Sequence, residues 1–236
     1  MKEDNLLSGY KNINLKNFKE YCNNPVLIKV NNSYLLRGTS DHEWNYITLE
    51  DESDFEQILD KISQKDEYFV IQDKYVEEYF LSNYEIEWSL RCQKFIYIAN
   101  QKMKAKTSSE IRNLTLDDAR YIYLNSDYQD FTSIDYIKEC INKGISIGIE
   151  KDSKLIGWIL THDDGALGFL HVIDQYRRMG YARKLLIEAV NLLIEEGKTP
   201  YLHIEAKNNK SLGLANSLGF EYLNDILWIK GMKIKN

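Results

Sequence analysis

Gly165-Ala-Leu-Gly-Phe-Leu-His-Val-Ile-Asp-Gln-Tyr-Arg-Arg-Met-Gly-Tyr-Ala-Arg-Lys-Leu-Leu-Ile-Glu-Ala-Val190 is the stretch that decides the fold. It reads as a strand, a short basic loop with a glycine, and a helix. Leu167, Phe169, His171 and Ile173 alternate with Gly168, Leu170 and Val172. Both sets are largely apolar, which predicts a strand covered on both faces. From Leu185 to Ile194 the apolar residues recur at helical spacing. A helix entered through Gly180 leaves its first N–H groups without intrahelical partners, and the dipole adds positive charge there. Those donors, with Arg177, Arg178 and Arg183 nearby, suit a pyrophosphate. Gly180 and the small Ala182 let an anion approach the backbone closely.

Outward from this stretch, the chain has 236 residues, room for one large domain or two small ones. Hydrophobic residues make up 44%, enough for a core, and 28% are charged, as in an ordinary soluble protein. A net charge of −6 argues against a general nucleic-acid or anionic-membrane binder. The positive charge is local. Cys22, Cys92 and Cys140 are odd in number and far apart, which predicts free thiols in a reducing compartment and no metal site. Met1-Lys-Glu-Asp-Asn lacks the apolar core of a signal peptide, and no run approaches the roughly 20 apolar residues of a membrane span. A cytoplasmic protein is expected.

In the first half, Asn14 to Tyr21 predicts a helix, and residues 26–30 and 33–37 a hairpin around Asn31-Asn32. A strand over Trp44–Leu49, a helix carrying Phe55, Ile58, Leu59 and Ile62, a strand over Tyr68–Ile71, a helix over Lys74–Leu81 and a strand over Trp88–Ile98 follow. No glycine loop follows any of these strands. Asn100 to Ser109 is the most polar and basic stretch, which marks a linker. Lys102, Lys104 and Lys106 are read as solvated within it. The domains expected are an N-terminal α/β part, 1–106, and a second part, 107–236. Beyond Ile111, the pattern gives strand, two helices, three antiparallel strands, helix, strand, helix, strand. That is an α/β domain with a central mixed, mostly antiparallel sheet. Thr115 and Asp118 resemble a capping box with Asp in place of Glu. His162, Asp163 and Asp164 fall in a turn and are expected to be solvated.

Arg177-Arg178-Met179-Gly180-Tyr181-Ala182 matches Arg/Gln-x-x-Gly-x-Gly/Ala, and in this the chain resembles the GNAT N-acetyltransferase superfamily. The motif follows Leu170-His171-Val172 and precedes Pro200–Ile204, Asn208 and Leu218-Gly219-Phe220 in the superfamily's order. The run His203-Ile-Glu-Ala-Lys-Asn208, with Trp158 and Trp228 on what read as neighbouring strands, is most similar to the glycine N-acyltransferase-like branch. The first half is then expected to be a degenerate GNAT-like copy.

The resemblance implies acyl-CoA, by default acetyl-CoA, as cofactor. Leu170, His171 and Val172 would contact the pantetheine arm and acyl carbonyl, with the amide near Val172 as oxyanion donor. Arg177, Arg178, Met179, Gly180, Tyr181 and Ala182 would hold the pyrophosphate, and Asn208 would contact the cofactor. Many relatives carry a base five residues before that asparagine. Here the position is His203, and an imidazole is a competent base at neutral pH. A satisfied strand histidine is the competing reading. His171 and Glu205 are further choices for the base, while Ala166 has no ionisable group where some relatives keep Glu. The tyrosine that protonates the leaving thiolate in many members is replaced by Ala215. The implied function is N-acyl transfer to a small-molecule amine or amino acid. An O-acyltransferase and a non-catalytic acyl-CoA sensor are the alternatives.

Overall fold

A computed structural model describes residues 9–99, 101–104 and 110–234. They form two compact units. The first gathers the chain up to Lys94 with Ile204–Asn209 and the chain from Tyr222 on; the second holds Phe95–His203 and Lys210–Glu221. The boundary expected between residues 106 and 107 lies outside the described residues, as do Met1–Asn5 and, of the linker, residues 100 and 105–109. The described remainder of the linker is anchored. The Asn191 side chain accepts the Met103 N–H at 2.7 Å and donates to the Met103 carbonyl at 3.0 Å, and Lys102 pairs with Glu195.

In the first unit, α1 (Ile13–Tyr21) buries Leu15 and Phe18. β1 (Asn23–Val30) and β2 (Ser33–Thr39) form the expected hairpin, turning through Asn31 at φ 49°, a conformation asparagine tolerates. β3 (Glu43–Thr48) continues the antiparallel run. Asp51 accepts the Ser53 N–H at 2.8 Å and opens a 3₁₀ turn, Glu52–Asp54, that leads into α2 (Phe55–Leu59). β4 (Tyr68–Ile71) then returns parallel to β3. After α3 (Lys74–Asn83) the chain passes straight into β5 (Tyr84–Ile96), four residues ahead of the expected start at Trp88. The helix stops because Asn83 returns its amide to the Tyr79 carbonyl at 2.9 Å. The core of this unit includes Leu35, Ile47, Phe55, Phe69, Phe80 and Ile229. Lys94 is fully buried, its ammonium donating to the Lys11 carbonyl at 2.7 Å, to Asn14 Oδ1 at 2.8 Å and to Gln72.

The second unit runs β6 (Ile111–Asn113), α4 (Asp118–Leu124), α5 (Ile134–Lys143), β7 (Ser146–Lys151), β8 (Lys154–Thr161), β9 (Leu167–Val172), α6 (Tyr181–Glu195), β10 (Tyr201–Ile204) and α7 (Asn209–Ser217). Its strands lie in the order β10-β9-β8-β7-β6. β6 to β9 are antiparallel, and β10 is parallel to β9. Thr115 and Asp118 meet, but not as a full capping box: the Asp118 carboxylate accepts both the Thr115 N–H at 2.7 Å and the Thr115 hydroxyl at 3.1 Å. Arg112 donates to the same carboxylate with both Nη atoms at 2.9 Å. Ser133 does cap α5, accepting from the Tyr136 N–H. Cys22, Cys92 and Cys140 are buried and form no disulfide with one another.

The last strand, β11 (Glu221–Lys233), pairs antiparallel with β4 of the first unit, through Leu227↔Ile71 and Trp228↔Val70. The first unit's strands thus lie in the order β1-β2-β3-β4-β11-β5. Trp158 and Trp228 are therefore not on neighbouring strands: β8 lies between β7 and β9, whereas β11 lies between β4 and β5. Both units also repeat one plan. An antiparallel three-strand run is followed by a crossover helix and a parallel strand, β1-β2-β3-α2-β4 in one and β7-β8-β9-α6-β10 in the other.

α6 is the crossover of the second unit, and it buries Tyr181, Leu185, Leu186, Ala189, Val190 and Leu193. Leu185→Ala should lower stability by about 2–5 kcal/mol, since the residue is fully buried and the site cannot collapse completely. The urea midpoint, with the denaturant slope unchanged, measures this.

Candidate functional site

The second unit opens its sheet at one place. β9 and β10 register at Leu167↔Leu202, and no further pair joins them among the described residues. Beyond that point the strands diverge. β9 is also bulged against β8. Trp158 faces His171 and Leu160 faces Gly168, so Phe169 and Leu170 oppose the single residue Ile159. Phe169 takes φ 53°, unusual for a bulky side chain. A bulge removes backbone groups from the ladder and re-aims them. The edge of β9 from Gly168 to Val172 thus borders an opening instead of a strand.

The chain leaves β9 through a 3₁₀ turn, Asp174–Tyr176, and reaches Gly180 at φ 82° as the N-cap of α6. No side chain caps this helix, and its first turn holds no acidic residue. A Cβ built on Gly180 would meet no atom within 4 Å, so open space lies beside the backbone here. Arg178 also has positive φ, 66°, and is exposed. Arg177 is exposed as well but is tied to the strand end. Its Nε donates to the Val172 carbonyl at 2.9 Å and its guanidinium pairs with Asp174 at 2.7 Å. It braces the loop against the strand end. Met179 is 58% exposed, Tyr181 is buried, and Ala182 is half-buried. Arg183 donates to Ser217 at 2.9 Å.

His171 stacks on Trp158, ring centroids 4.8 Å apart and 15° from parallel, and Trp158 is core. Burial, then the nearby Arg177 charge, holds the His171 pKa below the usual histidine value. The ring is therefore neutral at pH 7 and a weak base. Leu170 is half-buried and Val172 buried. Asn208 immediately precedes α7, in the segment Ile204–Asn209 counted with the first unit. Glu205, in the same segment, pairs with Lys207 at 2.8 Å. Ala215 is buried on α7, so no tyrosine hydroxyl stands at that position.

The turn before β9 departs most from expectation. Asp163 and Asp164 are not solvated, at 8% and 2% exposed, and His162 is half-buried. Tyr136 of α5 donates to the Asp163 carboxylate at 3.0 Å and lies 3.3 Å from His162 Nδ1. Tyr201 donates to the Asp164 carbonyl. Asp164 Oδ1 accepts the Ala166 N–H at 3.0 Å, while Oδ2 lies 2.9 Å from His203 Nε2. His203 is one residue beyond the last β9–β10 pair, at the start of the divergence, with 8% of its side chain exposed. Burial alone would raise the Asp164 pKa. The facing His203, with His162 and the Ala166 amide, outweighs it and brings the pKa below the usual carboxylate value. Charged residues in turns normally favour solvent, so sequence pattern gave no sign of this pairing; only the parallel return of β10 beside the turn creates it.

Residues 144–229 match the family model described as FR47-like protein. A curated relative is glycine N-acyltransferase-like protein 2 of Homo sapiens, 26% identical over 90 residues. That match covers 38% of this chain and 31% of the relative, less than a third of the relative's length. Among solved structures, a Drosophila protein superimposes with a TM-score of 0.80 at 16% identity, covering 97% of this chain and 94% of its own. An acetyltransferase of the GNAT family from Novosphingobium aromaticivorans gives 0.61 at 16% identity, covering 98% and 96%. A tandem GNAT protein from the clavulanic acid biosynthesis pathway gives 0.52 at 10% identity, covering 95% and 89%. The chain has the GNAT fold, and its resemblance to that superfamily stands. More particularly, it is similar to an FR47-like protein over residues 144–229 and to a glycine N-acyltransferase-like protein, within a layout that fits a tandem GNAT protein.

Asp164 carries a pH dependence whose sign follows from its lowered pKa. The ionised carboxylate stabilises the fold fully above the unfolded value of 3.8, and that contribution disappears as pH falls through the lower folded value. Asp164→Asn should cost about 1–3 kcal/mol near pH 6, by loss of a charged hydrogen-bond acceptor. The gap to wild type should narrow below pH 3.8. Urea midpoints at a series of pH values test this; a gap that widens on acidification contradicts it.

Proposed function

We propose that the chain is an N-acyltransferase that moves an acetyl or other acyl group from acyl-CoA to the amine of a small molecule or amino acid. The observation that carries this reading is the uncapped helix α6, entered through left-handed Gly180, directly after the bulged strand β9. The second unit is the acyl-CoA-binding part. Arg178 and the backbone from Met179 to Ala182 hold the pyrophosphate, and Arg177 keeps that loop on the strand end. Leu170, His171 and Val172 line the pantetheine arm and acyl carbonyl. The protein works in the cytoplasm. No helix among the described residues is long and apolar enough to cross a membrane.

The chemistry follows from the opening between β9 and β10. The amine lone pair attacks the thioester carbonyl carbon, and a backbone N–H on the bulged edge of β9 stabilises the developing oxyanion. His203 takes the proton that the nitrogen loses. The C–S bond breaks as the carbonyl re-forms, and the CoA thiolate takes its proton from water. Two rival bases are disfavoured by their surroundings: the His171 pKa is lowered, and Glu205 is paired with Lys207. Buried Ala215, where the usual acid is missing, favours a second reading, an acyl-CoA sensor without turnover.

Thiol release from acetyl-CoA with a panel of amines separates the two: an enzyme releases thiol, and a sensor binds CoA and releases none. His203→Ala should lower kcat roughly 10²–10⁴-fold with CoA affinity nearly unchanged. Wild-type kcat and pH profile in that variant would remove His203 as base. Gly180→Ala should fold, since its methyl meets open space, at about 1–2 kcal/mol for the left-handed conformation. It should raise the CoA dissociation constant about tenfold by entering the phosphate's space. Unchanged affinity by calorimetry would remove the loop assignment.

A further inference from the structure

We infer that Asp164 is the positioning residue for His203, fixing it as the Nε2–H tautomer so that Nδ1 is the basic nitrogen. This rests on the reading of His203 as general base. The carboxylate of Asp164 accepts at Oδ2 from His203 Nε2 at 2.9 Å. An ionised carboxylate can only accept, so Nε2 carries the hydrogen. In the neutral ring the second nitrogen is then the acceptor. When Nδ1 gains a proton, the imidazolium sits against a buried negative charge, which favours the charged form.

Asp164 is itself held in place. Its carboxylate takes the Ala166 N–H at Oδ1, 3.0 Å away, its backbone carbonyl takes the Tyr201 hydroxyl, and the residue is 2% exposed. Tyr201 also meets the His203 ring edge-on, centroids 5.6 Å apart. The ring can therefore neither flip nor tilt without breaking contacts with both partners. The other titratable groups around the pair are His162 on the same turn, and Asp163 with its partner Tyr136 on α5. Of these, His162 is the one whose charge reaches Asp164.

Ring-nitrogen NMR of wild-type protein labelled at histidine nitrogens tests the tautomer directly, in a folded chain. Nε2 should show the protonated-nitrogen shift and Nδ1 the unprotonated one in the neutral state; the reverse assignment overturns the inference. Kinetics supply the second test. Asp164→Asn can donate from its amide to Nε2 and so select the wrong tautomer. It should lower kcat at least 100-fold while KM for acetyl-CoA and directly measured CoA affinity stay within about threefold. The acid limb of its pH–rate profile should shift to lower pH, because the imidazolium loses its anionic partner. Asp164→Glu should recover part of kcat. A fall in CoA affinity matching the fall in kcat would overturn the positioning role in favour of packing. Wild-type kcat and pH limb in Asp164→Asn, with His203→Ala inactive, would overturn the role of Asp164 and leave His203 as base. If His203→Ala is fully active, the base assignment itself fails, whatever Asp164 does.

Discussion

The parting of β9 from β10 after a single register pair, Leu167↔Leu202, is the constraint on which the rest of the second unit depends. Parallel strands joined by a crossover helix ordinarily pair along their length. Here the bulge at Phe169 and Leu170 twists β9 away and leaves its far end on an opening. The same twist delivers the chain into a short loop, so that α6 begins beside the strand end with its N–H groups toward open space. Arg177 ties the two together by donating to the Val172 carbonyl. One backbone irregularity thus sets the edge of β9, the entry to α6 and the place of His203 together.

The turn that buries Asp163 and Asp164 shows how much polarity this unit tolerates inside. Burying a carboxylate costs several kcal/mol unless it is hydrogen-bonded and faced by a compensating charge. Both acids are hydrogen-bonded by residues from elsewhere in the chain, Asp163 by Tyr136 and Asp164 by His203, which also faces it with a titratable ring. The turn therefore joins α5, β9 and β10 by directional bonds as well as by apolar packing.

Periodicity and turn chemistry carried most of the element order, because each element's apolar spacing is local. The strand-loop-helix from Leu167 to Glu195 and the hairpin at Asn31 are of this kind. What was not legible is non-local. β11 reads as the closing strand of the second half, yet it pairs with β4, and nothing in Ile226-Leu-Trp-Ile229 distinguishes one apolar partner from another. The early start of β5 at Tyr84 escaped because Glu85 and Glu87 look like helix residues. Within the candidate site, the glycine loop was visible as a motif. Asp164 was not, since its partner is 39 positions away and aspartate before glycine signals an exposed turn.

The repeated plan of the two units gives each a crossover after its third strand, but the charges at the two crossovers are opposite. In the second unit the chain enters through Arg177, Arg178 and Gly180. In the first it enters through Asp51, Glu52 and Asp54, and Asp51 already occupies a backbone donor with its own carboxylate. An anion approaching the first crossover meets fixed negative charge and a filled donor; at the second the one acid of the entry turn, Asp174, is offset by Arg177 at 2.7 Å, and no side chain caps the helix. The architecture is used twice, while a few side chains give its two crossovers opposite charge, so that a similar backbone plan presents an acidic entry in one unit and a basic one in the other.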